Sequence, residues 1–165
     1  LQISQAAINQ KYAASKELET YQEKIATIVK QLVESKNSAS KIKSELSKKD
    51  KKKYKNEIKS STEIIKKIDG LIALYLGKID KRQGITRNPE ITVNQRFGMA
   101  RRYVGSRFGE QTSTEKTLVN QFKDEFKKAL EQTNKFINTD WKTYRESTEN
   151  IKISPFKEPI IYVIK

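Results

Sequence analysis

The 165-residue sequence contains no cysteine and no histidine. Their absence removes disulfides, thiolate nucleophiles, Ser-His and Cys-His pairs, imidazole bases and nearly every zinc, copper, haem or iron-sulfur ligand set. Carboxylate, lysine and tyrosine chemistry remain, as does an oxygen-ligated Mg²⁺ or Ca²⁺ site, but no compact Asp-rich loop of the required spacing is present. No apolar run approaches the roughly 18 to 20 residues that cross a bilayer, and no signal-peptide pattern opens the chain. The expectation is a soluble segment with no metal, no cofactor and no membrane insertion, in which the residues reveal no reaction. Acidic side chains are also scarce beside basic ones, 20 against 34, which leaves a formal charge of +14. The chain opens at Leu1, inside a helical pattern and without an initiator Met, so it reads as one helical domain over 1–165 and as a fragment of a longer protein.

Glycine and proline are missing from the first 69 residues; all six Gly and three Pro fall between Gly70 and Pro159. Without breakers, apolar spacing decides the structure. Leu18, Tyr21, Ile25, Ile28, Leu32, Ser35, Ala39, Ile42 and Leu46 lie along one helical stripe. It predicts one helix over about 4–48, about 65 Å long. A lysine-rich hairpin follows, with Asp50 as N-cap. Tyr54, Ile58, Ser61, Ile65, Ile68, Ile72 and Tyr75 then form a heptad seam, predicting a second helix over about 51–76. Gly70 lies inside that helix, and Gly77 suits its C-terminal end.

The connection from Gly77 to Glu90 carries Lys78, Lys81, Arg82 and Arg87; ordered loops of this length are functional or cover a core edge. Val93, Phe97, Ala100, Val104 and Phe108 predict a third helix over about 92–108, with Gly98 and Gly105 on a flank suited to a close crossing. Thr112 and Glu115 form a capping box for a fourth helix over about 114–149, whose stripe includes Val119, Phe122, Phe126, Leu130, Thr133, Ile137, Trp141 and Tyr144. Trp141 reads as a core or edge anchor. Pro155 and Pro159 then lead into an extended apolar tail over 156–165. The fold expected is an all-α, elongated antiparallel four-helix bundle with a long N-terminal hairpin.

Two basic clusters stand out. Lys48, Lys49, Lys51, Lys52, Lys53 and Lys55 form either an electrostatic footprint for a polyanion, whether nucleic acid, acidic glycan or anionic lipid, or a solvated hairpin tip. Lysine outnumbers arginine 27 to 7 throughout, which favours the solvated tip. Arg96 and Arg107, with Arg101 and Arg102 nearby, offer bidentate geometry to an anion or pair with acids on a neighbouring helix. The tail residues Phe156, Ile160, Ile161, Tyr162, Val163 and Ile164 are candidates for docking on another protein. Catalysis is not expected, because apolar seams packed against one another leave no cleft in which paired carboxylates could be desolvated.

The element order carries a resemblance. The long hairpin, Tyr75 to Gly77, Arg87-Asn88-Pro89, Asn94-Gln95-Arg96-Phe97 leading to Tyr103-Val104, the Thr112-Ser113-Thr114 cap and the Pro-containing tail resemble the C-terminal helical region of bacterial sortilin-like proteins with BNR repeats. These are secreted β-propeller proteins labelled glycosyl hydrolases. Two departures are Gln111-Thr112 where the family has Pro-Thr, and the lysine-rich hairpin. The resemblance implies an extracytoplasmic parent whose propellers carry any glycan or protein binding, with this bundle as a non-catalytic appendage whose partner is that propeller or another protein. The rival from the residues alone is a polyanion-binding helical module; a coiled-coil oligomer built on the first helix is a third.

Overall fold

The computed structural model of the protein describes residues 3–78 and 91–151. Its elements are α1 (Gln5–Asp50), α2 (Lys55–Leu76), α3 (Val93–Gly105), α4 (Ser113–Phe136), a π-helical turn (Ile137–Trp141) and α5 (Lys142–Glu149). The π turn joins α4 to α5, so the chain builds four helical rods. The protein is all-α and elongated, with a long N-terminal hairpin. The expected tail over 156–165 lies outside the described residues.

Helix α1 starts where Ser4 accepts the Ala7 amide hydrogen on its hydroxyl. It buries Leu18, Ile25, Leu32, Ala39 and Leu46, one residue per heptad, with Tyr21, Ile28, Ser35 and Ile42 half-buried beside them. The polar stretch around Ser35 to Ser40 stays helical, and Ser38 returns its hydroxyl hydrogen to the Glu34 carbonyl. Helix α2 starts four residues later than the expected 51. Asp50 does not cap it; the carboxylate instead accepts the amide hydrogens of Lys52 and Lys53, both at 2.9 Å, and stabilises the connecting turn.

The four rods occupy three lanes. On α1, Gln22 accepts from Arg101 of α3, and Lys36, two heptads further along the same flank, pairs with Asp69 of α2. One flank of α1 therefore meets α3 at its N-terminal half and α2 at its C-terminal half. Helices α2 and α3 lie end to end, both antiparallel to α1. At their junction Gly77 adopts φ +87°, and a Cβ there would lie 3.4 Å from the Thr92 methyl. The opposite flank of α1 faces α4: Glu17 pairs with Lys123, and the Tyr21 ring meets Phe122 and Phe126 edge-on at 5.2 Å. Partner numbers rise together, so α1 and α4 run parallel. Phe97 of α3 completes the cluster against Phe122 at 5.4 Å.

Helix α3 stops short of the expected 108. Ser106 directs both its amide and its hydroxyl hydrogen at the Tyr103 carbonyl, which closes the last turn, and Phe108 falls outside the helix, 89% exposed rather than on the apolar face. Gly98 and Gly105 do not mediate a close crossing either. A Cβ at either position would meet nothing within 4 Å.

The π turn explains the register of the last lane. Glu115, Val119, Phe122, Phe126, Ala129, Thr133 and Phe136 are buried in steps of four and three. Continued unbroken, that pattern would bury Asp140, Thr143 and Ser147. The wider π turn takes up one extra residue, so Tyr144 and Thr148 are buried instead. Trp141, half-buried in the turn, packs its ring 5.6 Å from Tyr144 and 6.4 Å from Phe136.

Candidate functional site

The two basic clusters are not brought together. The lysines of the tip sit at the C-terminal end of α1, whereas Arg101 contacts Gln22; the 26 residues from Gln22 to Lys48 correspond to about 39 Å of helix. At the tip, Lys48 pairs with Glu45 at 3.1 Å, Lys53 lies 5.3 Å over the Tyr54 ring, and Lys49 also has a partner. Lys51, Lys52 and Lys55 are exposed, and their ammonium groups meet no partner among the described residues. On α3, Arg96 donates to Gln121 at 2.9 Å, Arg101 to Gln22 at 3.2 Å, and Arg107 to the Glu110 carbonyl at 2.7 Å. Among the described residues only Arg102 of these four lacks such a partner, so most of the arginine flank is engaged within the bundle. The docking candidates Phe156, Ile160, Ile161, Tyr162, Val163 and Ile164, and the connection cations Lys81, Arg82 and Arg87, lie outside the described residues.

The most heavily buried carboxylate among the described residues, Glu115, was expected as a helix cap, and its capping box is present, but its burial and its pairing with Lys11 were not read from the sequence. Glu115 is 2% exposed, and its Oε1 accepts from Lys11 at 2.9 Å while Arg107 Nε stands 3.6 Å away. Its Oε2 takes the Thr112 amide hydrogen, and the Thr112 hydroxyl takes the Glu115 amide hydrogen in return. One carboxylate thus caps α4 and ties it to the start of α1 and the end of α3. The available signal was Lys11 itself, because Ala7, Lys11, Ala14 and Leu18 extend the α1 stripe in steps of four and three. A charge on that stripe requires a buried counter-charge.

Two hydroxyl pairs bridge α2 to the last lane. Tyr75 and Thr133 are 3.0 Å apart, and Ser61 and Tyr144 are 2.9 Å apart. Thr133 and Ser61 each already donate to a carbonyl of their own helix, Ala129 and Glu57. Each has a single hydrogen, so the tyrosines are the donors. Burial pushes both tyrosine hydroxyls above the ordinary value of 10, opposed by these hydrogen bonds. One tip-side carboxylate oxygen, Glu57 Oε2, is buried without a partner among the described residues.

The hollows are open grooves between helices. One of about 630 Å³ runs between Gln10 to Glu17 of α1 and Lys116 to Lys123 of α4, floored by Ala14 and Val119. Among the described residues no group of three acidic side chains could hold a metal ion, and no helix is long and apolar enough to cross a membrane. Exposed apolar side chains, by contrast, are unevenly placed. Among the described residues, Ile3, Ile8 and Tyr12 of the α1 start and Met99, Tyr103 and Phe108 of the α3 region lie in the half remote from the lysine tip, whereas Val33, Leu76 and Ile91 lie near the middle of the rod.

No protein-family model, no curated protein and no solved structure matches the chain.

Proposed function

We propose that this chain is a non-catalytic helical module with a structural, protein-interacting role, an elongated arm that docks through its α1-start and α3 half. The single observation that carries this reading is the division of its polar and apolar groups. Inside, the hydroxyls of Ser61, Tyr75, Thr133 and Tyr144 and the carboxylate of Glu115 are each committed to holding one helix to another. Outside, six of the nine exposed large apolar side chains among the described residues gather in the half remote from the lysine tip. Single exposed apolar residues are ordinary, whereas a concentration of them favours a protein contact. The position implied by the resemblance, appended to a secreted β-propeller with the apolar tail as a second contact, belongs to the same proposal.

Cross-linking mass spectrometry on the product of the complete reading frame tests it. Lys16 and Lys116, exposed beside the apolar half, should cross-link to the remainder of that protein or to a bound partner, and the combined substitutions Tyr12→Ser, Tyr103→Ser and Phe108→Ser should abolish those links while leaving the melting temperature nearly unchanged. Links that survive these substitutions would remove the assigned surface. Turnover of a substrate by the purified chain, lost with an isosteric substitution, would replace the non-catalytic reading.

A further inference from the structure

At the end opposite the apolar half, residues 41–55 hold eight lysines against Glu45 and Asp50, a net charge of +6 in fifteen residues of a chain whose total is +14. We infer that this tip is an electrostatic foot that docks end-on to an anionic phospholipid surface, without inserting. Four features of the tip favour that partner.

The turn is held in shape, because the Asp50 carboxylate takes the Lys52 and Lys53 amide hydrogens; those amides are therefore not available as a backbone cradle for one phosphate. Recognition must come from the side-chain ammonium groups, and those of Lys51, Lys52 and Lys55 are exposed and pair with no carboxylate among the described residues. All the cations of residues 41–55 are lysine, a hydrated point charge, with no arginine to grip phosphate in a bidentate fork. The tip aromatic Tyr54 is half-buried with the Lys53 ammonium over one face of its ring, which disfavours stacking a base there.

Geometry then separates a surface from a strand. The lysines of the α1 end, the turn and the α2 start surround the end of a rod about 69 Å long. A plane facing that end meets them together. A linear polyanion would be served better by a cationic track along the rod, where the α3 arginines are largely engaged internally. Lysines near an anionic leaflet attract it additively, and the interaction decays within a Debye length, so it is steeply salt-dependent.

Sedimentation with vesicles of phosphatidylcholine containing roughly 30% phosphatidylserine, at about 0.15 M salt, tests the inference. The chain should partition onto these vesicles and not onto pure phosphatidylcholine. The triple substitution Lys51→Gln, Lys52→Gln and Lys55→Gln should weaken partition on the order of 100-fold, about fivefold per lysine. The arginine version of the same triple should retain it. Lys127, Lys128 and Lys135 are exposed and without an acidic partner on α4, and their conversion to Gln should change partition by no more than a few-fold. Equal losses from the two triples would mean that overall charge, not the tip, is read, and would overturn the inference. So would absence of partition, or preference for duplex DNA or heparin over vesicles at matched negative charge, which would assign the tip to a linear polyanion.

Discussion

Tyr75 and Tyr144 each bring a hydroxyl into an otherwise apolar seam, and each finds an acceptor whose own hydrogen is directed elsewhere. This asymmetry is measurable. Tyr75→Phe removes a donor and should cost about 1 kcal/mol, whereas Thr133→Val leaves the fully buried Tyr75 hydroxyl without an acceptor and should cost about 1–3 kcal/mol. The double variant should be no less stable than Thr133→Val alone, a coupling visible in urea midpoints. The same burial sets a pH dependence. Both hydroxyls are raised above 10, so the folded and unfolded chains are equally protonated below about pH 10; above it the unfolded chain loses those protons first and stability falls. Denaturation between about pH 9 and 11 should therefore show a shallower decline for the Tyr75→Phe, Tyr144→Phe variant than for the parent, whatever its stability near neutrality.

At the scale of elements, the two glycines of α2 make opposite demands. A Cβ at Gly70 meets nothing within 4 Å, so Gly70→Ala should stabilise by roughly 0.5–1 kcal/mol through helix propensity alone. Gly77 ends the helix at φ +87° beside Thr92, so Gly77→Ala should lower stability by about 1 kcal/mol or more; thermal melting of the pair checks both signs. Sequence periodicity located every helix, but ends depended on local hydrogen bonds that spacing does not report. Ser106 closes α3 three residues before the expected 108, and the Asp50-held turn delays α2. The π turn was not legible in the sequence, because the stripe Val119, Phe122, Phe126, Leu130, Thr133, Ile137, Trp141 and Tyr144 repeats the same steps of three, four and four before and after Thr133.

For the whole molecule, α1 sets the length, and the consequence of placing α2 and α3 in one lane is a thin cross-section, since a four-lane bundle around the same rod would be thicker. Small-angle X-ray scattering should give a maximum dimension of at least about 70 Å for a monomer, set by the 46 residues of α1. A markedly shorter value would refute the unbroken α1 rod, a cross-section as thick as four packed helices would refute the end-to-end arrangement of α2 and α3, and a doubled mass in light scattering would instead favour the coiled-coil oligomer. The ends of this rod differ in chemistry, with lysines at one and exposed apolar side chains in the half leading to the other. Of the candidate sites, the lysine tip was legible because its residues are contiguous. The apolar half was not, because it assembles Ile8, Tyr12, Tyr103 and Phe108 from segments about a hundred residues apart in the chain.

Composition and periodicity by themselves determined that this chain is helical, that its first rod is uninterrupted, and that its charge concentrates at a hairpin turn; these follow from contacts between near neighbours, where a missing breaker or a heptad step is sufficient. Tertiary structure alone decided that four rods share three lanes, that Lys11 and Arg107 converge on Glu115, and that Tyr144 rather than its neighbours enters the seam. Those outcomes depend on which flank of α1 each later helix takes, and that choice is made by packing across the chain.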